Sequence, residues 1–241
     1  MRFMMMHKMT EEMEKGLRPD PEVIEGVERL MTEAADKGIF LAGEGLKPSS
    51  ERVHVVYKDG QRSVTDGPFT EAKELVAGFA LMRVRSMEQA LYWCDRFAAV
   101  IGDVELFMGP VVEQWDLDQT PKPADAPLRF LSMHKLVHDG QSDTPPDPQQ
   151  MAKMQALIDE MTQAGVMQAT GGLAGTRLGA RIRFDGEKPR VIDGPFAESK
   201  ELIAGYAILE LPSKAEAIEW GTRFGKIVKV NEVEIRQLPE W

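Results

Sequence analysis

The sequence predicts an α+β protein made of two copies of a split βαβ unit, each with an inserted β-hairpin. Three observations carry that expectation. The tetrapeptide Asp66-Gly67-Pro68-Phe69 recurs as Asp193-Gly194-Pro195-Phe196, 127 residues on, and at that offset residues 66–97 and 193–224 agree at 16 of 32 positions. The same offset carries Arg2-Phe3 onto Arg129-Phe130, His7-Lys8 onto His134-Lys135, and Pro19-Asp20-Pro21 onto Pro146-Asp147-Pro148. Within each copy, strand-like and helix-like periodicities follow one another as strand, helix, strand, hairpin, strand, helix, strand.

Each copy opens on a strand, residues 2–8 and 129–135, whose alternation separates two faces. One face carries Met4 and Met6, matched by Leu131 and Met133, and is uniformly apolar, as burial under helices requires. The other carries Phe3, Met5 and His7, matched by Phe130, Ser132 and His134. Asp20-Pro21 and Asp147-Pro148 then place a capping acid before a first-turn proline. Ile24, Val27, Leu30, Met31 and Ala34 form a helical stripe, echoed by Met151, Met154, Leu157, Ile158 and Met161; Gly38 and Gly165 end both helices.

A second strand spans 39–46. Alternating Val53, Val55 and Tyr57, a turn at Asp59-Gly60, and Val64 predict the hairpin, repeated by Ile182, Phe184, Asp185-Gly186 and Val191. After the tetrapeptide, 75–84 and 202–211 read as central strands. Ser86 with Gln89, and Ser213 with Glu216, are capping boxes for a second helix. Its stripe is Ala90, Trp93, Cys94 and Phe97, or Ala217, Trp220, Gly221 and Phe224. Strands at 104–108 and 233–238 close the copies. This is the ferredoxin-like order, with both helices on one sheet face. The other face, with Phe3, Met5, Leu75, Ala77, Phe79 and Leu81, would be an exposed apolar patch unless the second copy covered it. The expectation is therefore repeat 1 over 1–115, a proline-rich linker over 116–127 and repeat 2 over 128–241, packed sheet to sheet as an intrachain pseudo-dimer.

Composition bounds the function. With 39 acidic against 29 basic residues the formal charge is −10, and no basic run offsets it, which argues against nucleic acid or an anionic membrane as partner. Cys94 is the only cysteine, so neither an internal disulfide nor a Cys-x-x-Cys site exists, and a reducing cytoplasm fits. The methionine-rich start carries His7 and Lys8 and runs into Glu11 and Glu12, unlike a signal peptide. Phosphate-loop, His-Glu-x-x-His and Gly-x-Ser-x-Gly motifs are absent, so no cofactor or metal is expected.

Asp-Gly-Pro-Phe followed by Ala/Thr-Glu-x-Lys-Glu and an apolar strand with Ala-Gly-Phe/Tyr resembles the DGPF proteins of the YCII-related family. The resemblance covers both halves apart from the linker. It implies a dimeric α/β-barrel fold, a proposed site of a first-strand histidine and an aspartate, here His7 with Asp66 and His134 with Asp193, and an association with alternative sigma factors.

The residues themselves leave two readings at each position. Pro68 offers no N–H, so the Asp66 carboxylate either caps the turn at 70–73 or meets a partner across the fold. His7 and His134 either serve as bases oriented by the aspartates or are half-buried histidines satisfied by backbone. Glu44, between Gly43 and Gly45, is matched by Gly171, so an acid or base there would belong to the first half alone; otherwise it is a turn residue. Arg52 faces Gly179 and His54 faces Arg181 across the repeat. Lys8, Lys135 and the pairs Glu71/Lys73 and Glu198/Lys200 read as surface charges. The leading reading is a cofactor-free lyase or isomerase acting on a small apolar or aromatic molecule through the His/Asp pair. The alternatives are an interaction or regulatory module with a protein partner, for example a sigma factor, and a ligand sensor with one degenerate half.

Overall fold

A computed structural model describes residues 1–69, 75–136, 147–186, 188–196 and 202–239. The 70–73 turn and the pairs Glu71/Lys73 and Glu198/Lys200 fall outside them. The chain runs β1 (Arg2–Lys8), α1 (Glu11–Glu14), α2 (Pro21–Asp36), β2 (Phe40–Gly45), β3 (Val53–Lys58), β4 (Gln61–Asp66), β5 (Gly78–Val84), α3 (Met87–Ile101), β6 (Val104–Pro110), α4 (Gln114–Asp118), β7 (Leu128–Leu136), α5 (Pro148–Gln163), β8 (Met167–Gly172), β9 (Ala180–Arg183), β10 (Arg190–Asp193), β11 (Ile203–Glu210), α6 (Lys214–Val228) and β12 (Glu232–Leu238). Short 3₁₀ turns at Ser49–Glu51 and Thr176–Leu178 precede the two hairpins.

Local chemistry follows the sequence at most boundaries. Ser86 and Ser213 Oγ accept the amides of Gln89 and Glu216. Asp59 and Gly60 take φ of 51° and 75° in the first hairpin turn, and Gly38 and Gly165 take φ of 68° and 69° past α2 and α5, where a Cβ would be strained. Asp147 accepts the Gln149 amide, whereas Asp20 caps with no side-chain bond. The linker holds a one-turn helix, α4, whose capping acid Glu113 takes two 2.8 Å bonds from Arg129.

The strands form two six-stranded antiparallel sheets, in the orders β10-β9-β12-β1-β11-β2 and β4-β3-β6-β7-β5-β8. Each is a ferredoxin-like sheet with the hairpin added at one edge. The compact units are Met1–Pro48 with the chain from Leu173 on, and Ser49–Phe69 with Val76–Gly172. The repeats have therefore exchanged parts. In the first unit β1, α2 and β2 of the first repeat complete a sheet whose other four strands and helix α6 come from the second; in the second unit β7, α5 and β8 complete the sheet of the first repeat with α3.

The face assignment drawn from β1 is reversed. Phe3 and Met5 pack with Leu30 and Ala34 of α2 and Ala217 and Trp220 of α6. Phe130 packs in the same way with Trp93, Cys94, Leu157 and Met161 of α3 and α5. Burying each such side chain contributes roughly 1.5–3 kcal/mol. Met4, Met6, Leu131 and Met133 are buried too, on the face away from the helices, and Phe79 and Leu81 lie opposite Met133 and Leu131 there. Because both faces of β1 are apolar, period-two alternation separates them without saying which meets the helices. The neighbouring strands decide it. The alternate face of β9 and β12 carries Arg181, Glu232, Glu234 and Arg236, while Ala180, Ile182, Val233 and Ile235 join Phe3 in the helix-side core. Lys8 is also corrected: the register shifts between His7 and Lys8, and Lys8 is buried rather than a surface charge.

Candidate functional site

The repeated histidines sit beneath the helices. His7 is opposite Gly205 of β11, and a Cβ on Gly205 would lie 2.8 Å from His7 Nε2 and 2.7 Å from the Glu44 carbonyl. His134 is opposite Gly78 of β5, where a Cβ would lie 2.5 Å from His134 Cε1 and 2.8 Å from the Gly171 carbonyl. The glycine of each Ala-Gly-Phe/Tyr segment is thus the space in which an imidazole lies across the backbone. Phe224 covers His7 from α6 at 5.2 Å between centroids, and Phe97 covers His134 from α3 at 4.9 Å. Each histidine is received by the glycine and phenylalanine of the opposite repeat. Burial pushes the His134 imidazole down to about 4, so it is neutral at pH 7.

The aspartates are not brought to these histidines within either unit. Asp193 pairs with Ala180, Ala180 with Ile235, and Ile235 with Met5. Asp66 reaches Ser132 through Val53 and Met108 by the same three steps. Three strand spacings are about 14 Å. Asp66 and Asp193 are exposed on the hairpin edges, and Asp193 pairs with Lys214 at 2.7 Å. His7 and Asp66 belong to different units, as do His134 and Asp193. Glu44 is opposite Tyr206, which is opposite Met6, so it lies on the sheet face away from His7.

The remainder of the repeated tetrapeptide is a latch. Gly67-Pro68 and Gly194-Pro195 are cis, and a Cβ on either glycine would collide with the carbonyl of Ser49 or Thr176. Phe69 N–H donates to Ser49 Oγ at 2.9 Å, and Phe196 N–H to Thr176 Oγ1 at 3.3 Å. Both hydroxyl residues are buried. Sequence reasoning passed over Ser49 and Thr176, although the fixed offset pairs them.

That offset also hides an exchange of arginines. The Arg52 stem passes within 2.5 Å of where a Cβ on Gly109 would lie, and Arg236 Cδ lies 3.2 Å from the corresponding point on Gly179. Arg52 corresponds to Gly179 and Gly109 to Arg236, so each unit buries one guanidinium at the same place, delivered from opposite strands. Arg236 donates to the Ala174 carbonyl at 2.6 and 3.1 Å and to Glu234 at 3.2 Å; Glu234 also accepts from Arg181, whose guanidinium lies 4.1 Å from the Phe196 ring centre. In the second unit His54 stands for Arg181, stacked on Phe107 at 4.3 Å and 3.6 Å from Glu105. Burial holds its pKa below the usual value despite that carboxylate.

The residues beneath the helices also differ between the units. In the second, a cavity of about 60 Å³ lies between the sheet and α3 and α5, lined by Ser132, His134, Trp93, Cys94 and the thioethers of Met154 and Met161 among others. Its position explains it. Ser132 stands where the first unit has Met5, which is in that unit's core. Cys94 stands where it has Gly221, whose missing side chain is replaced by Ile235 and Ile182 approaching within 2.8 and 3.0 Å of the would-be Cβ. Burial pushes the Cys94 thiol up to about 12, so it stays protonated. The indole N–H of Trp93 is buried with no acceptor among the described residues.

Among the described residues no group of His, Cys, Asp and Glu is placed to hold a metal, and no helix is long and apolar enough to cross a membrane. The model of the YCII-related domain matches residues 1–104 and again 132–241. The chain is 30% identical over 74 residues to an uncharacterized protein of Rhizobium meliloti (strain 1021), a stretch covering 31% of this chain and 60% of that protein. No solved structure gave a significant match. With the model matching nearly all of both halves, the chain belongs to the YCII-related domain family and carries that domain twice in tandem.

Proposed function

We propose that the protein binds a small uncharged, largely apolar molecule at one site per chain, in the cavity beside His134. The carrying observation is the difference between the units: the same His-Gly-Phe arrangement occurs in both, but Met5 fills in one the space that Ser132 leaves open in the other. Methionines supply much of the lining and adapt their shape to a ligand at little strain. Like the sensor reading it makes the halves unequal, but it rests on Met5 against Ser132 rather than on Glu44 against Gly171.

The geometry favours binding over proton transfer. A base with a pKa of about 4 is neutral at pH 7 but takes a proton poorly. Within its own unit the aspartate available to it, Asp66, is three strands away, so binding in the cavity does not depend on a His/Asp pair inside that unit. His134 instead serves as a neutral hydrogen-bonding wall of the pocket.

The test is a titration followed by methyl NMR at Leu157, Met154 and Met161, using xenon and butanone as probes on the wild type and Ser132→Met. Saturable shifts in the wild type that vanish in the variant support the site. Shifts that persist in S132M, or none in either protein, reject it.

A further inference from the structure

The cavity in the second unit is more than an apolar void. Its wall includes Trp93, 6% exposed, whose indole N–H is a buried donor with no acceptor among the described residues. A buried polar group left unmade costs about 1–3 kcal/mol, and native structures keep few of them without a use. The other polar groups around the cavity do not relieve it. Thr170 Oγ1 donates to the Phe79 carbonyl at 2.8 Å, and neither Ser132 nor His134 accepts the indole N–H. No Asp, Glu, Lys or Arg lines the cavity, so a charged ligand would be desolvated with nothing to balance it.

We propose that the second unit selects a short, uncharged molecule with apolar arms and one hydrogen-bond acceptor, such as a ketone, aldehyde or ester carbonyl, to which the Trp93 indole N–H donates. This rests on the cavity reading above and narrows it from any small apolar molecule to one with a carbonyl-type oxygen. Size limits the choice further. An engineered cavity of about 150 Å³ holds benzene, so about 60 Å³ admits only a few heavy atoms before the methionines must shift.

The competing occupant is a trapped water, which needs two or more polar partners to be held. The experiment compares 2-butanone with 2-methylbut-1-ene, the hydrocarbon in which a methylene replaces the carbonyl oxygen. The Trp93 indole N–H resonance is read in the wild type and in Trp93→Phe, with methyl shifts as the measure of binding in both. The expected result is a downfield indole shift with butanone alone, about tenfold tighter binding of the ketone, and loss of that preference in W93F while the hydrocarbon still binds. Equal binding of the two probes, or an unmoved indole signal with butanone bound, overturns the carbonyl proposal and leaves the apolar cavity standing. If neither probe nor xenon binds, the cavity reading and this inference fall together.

Discussion

Replacing Ser132 by Met installs in the second unit the side chain that the first already has at the matching position, Met5. The cavity there is about 60 Å³. At about 24 cal/mol per Å³ of unfilled space, closing it is worth about 1.4 kcal/mol. Against this stands the loss of the buried Ser132 hydroxyl with its hydrogen bonding, worth about 0.5 kcal/mol. The net expectation is a gain of about 1 kcal/mol, or 2–4 °C in Tm for a chain of this size. Urea unfolding of wild type and S132M checks it, with an unchanged m-value as the condition for reading the midpoint as stability. A loss of more than about 1 kcal/mol would mean that the methionine meets atoms rather than space. The cavity and its explanation by Ser132 would then both be wrong.

Gly78→Ala and Gly205→Ala should each destabilise by about 1–3 kcal/mol, because the new methyl meets the imidazole and a backbone carbonyl within 2.5–2.8 Å; denaturant midpoints measure it, and neutral outcomes would deny that the rings lie there. Gly109→Arg should be strongly destabilising alone and substantially rescued by Arg52→Gly, since the pair recreates the Gly179/Arg236 arrangement; a double-mutant cycle reads the coupling, and strict additivity would refute it. Burial lowers the His134 pKa to about 4 from its ordinary value of 6.5, so between those values the unfolded chain binds more protons and stability falls as pH drops through that window, by about 3 kcal/mol. His134→Gln should flatten that part of the pH–stability curve, and an unchanged slope would place the titration elsewhere. Ser49→Ala and Thr176→Ala should each cost about 1 kcal/mol by freeing the Phe69 or Phe196 amide, and faster local hydrogen exchange at those amides reports it.

Much of the fold was legible because local rules and the repeat agreed. Ser86, Ser213, Gly38 and Gly165 punctuate helices where their chemistry demands, and the Asp59-Gly60 turn sets the hairpin register. Long-range pairing was not legible. Nothing in strand β1 says that it will lie beside β11 and β12 of the other repeat, since two near-identical copies offer two near-identical partners. The helix-facing side of β1 was misread because Met4/Met6 and Phe3/Met5 are equally apolar, and the deciding charges sit on β9 and β12, far along the chain in the second repeat. At the site, His7 and His134 could be picked out by their recurrence, but their surroundings could not. Asp66 and Asp193 recur just as faithfully, yet end on the sheet edges. The exchange of Met5 for Ser132 carries no sign in the sequence of the space that lies beside the serine.

The exchange of elements between the repeats has a consequence for how such a chain changes over time. In an assembly of two identical chains, every substitution is made twice, and any improvement at one place is forced on its twin. Here one gene specifies both places with separate codons, and each compact body needs contributions from both repeats. Neither copy can be lost, but each is at liberty to diverge. The serine under one pair of helices, and the arginine arriving from a different strand in each body, are the marks such liberty leaves.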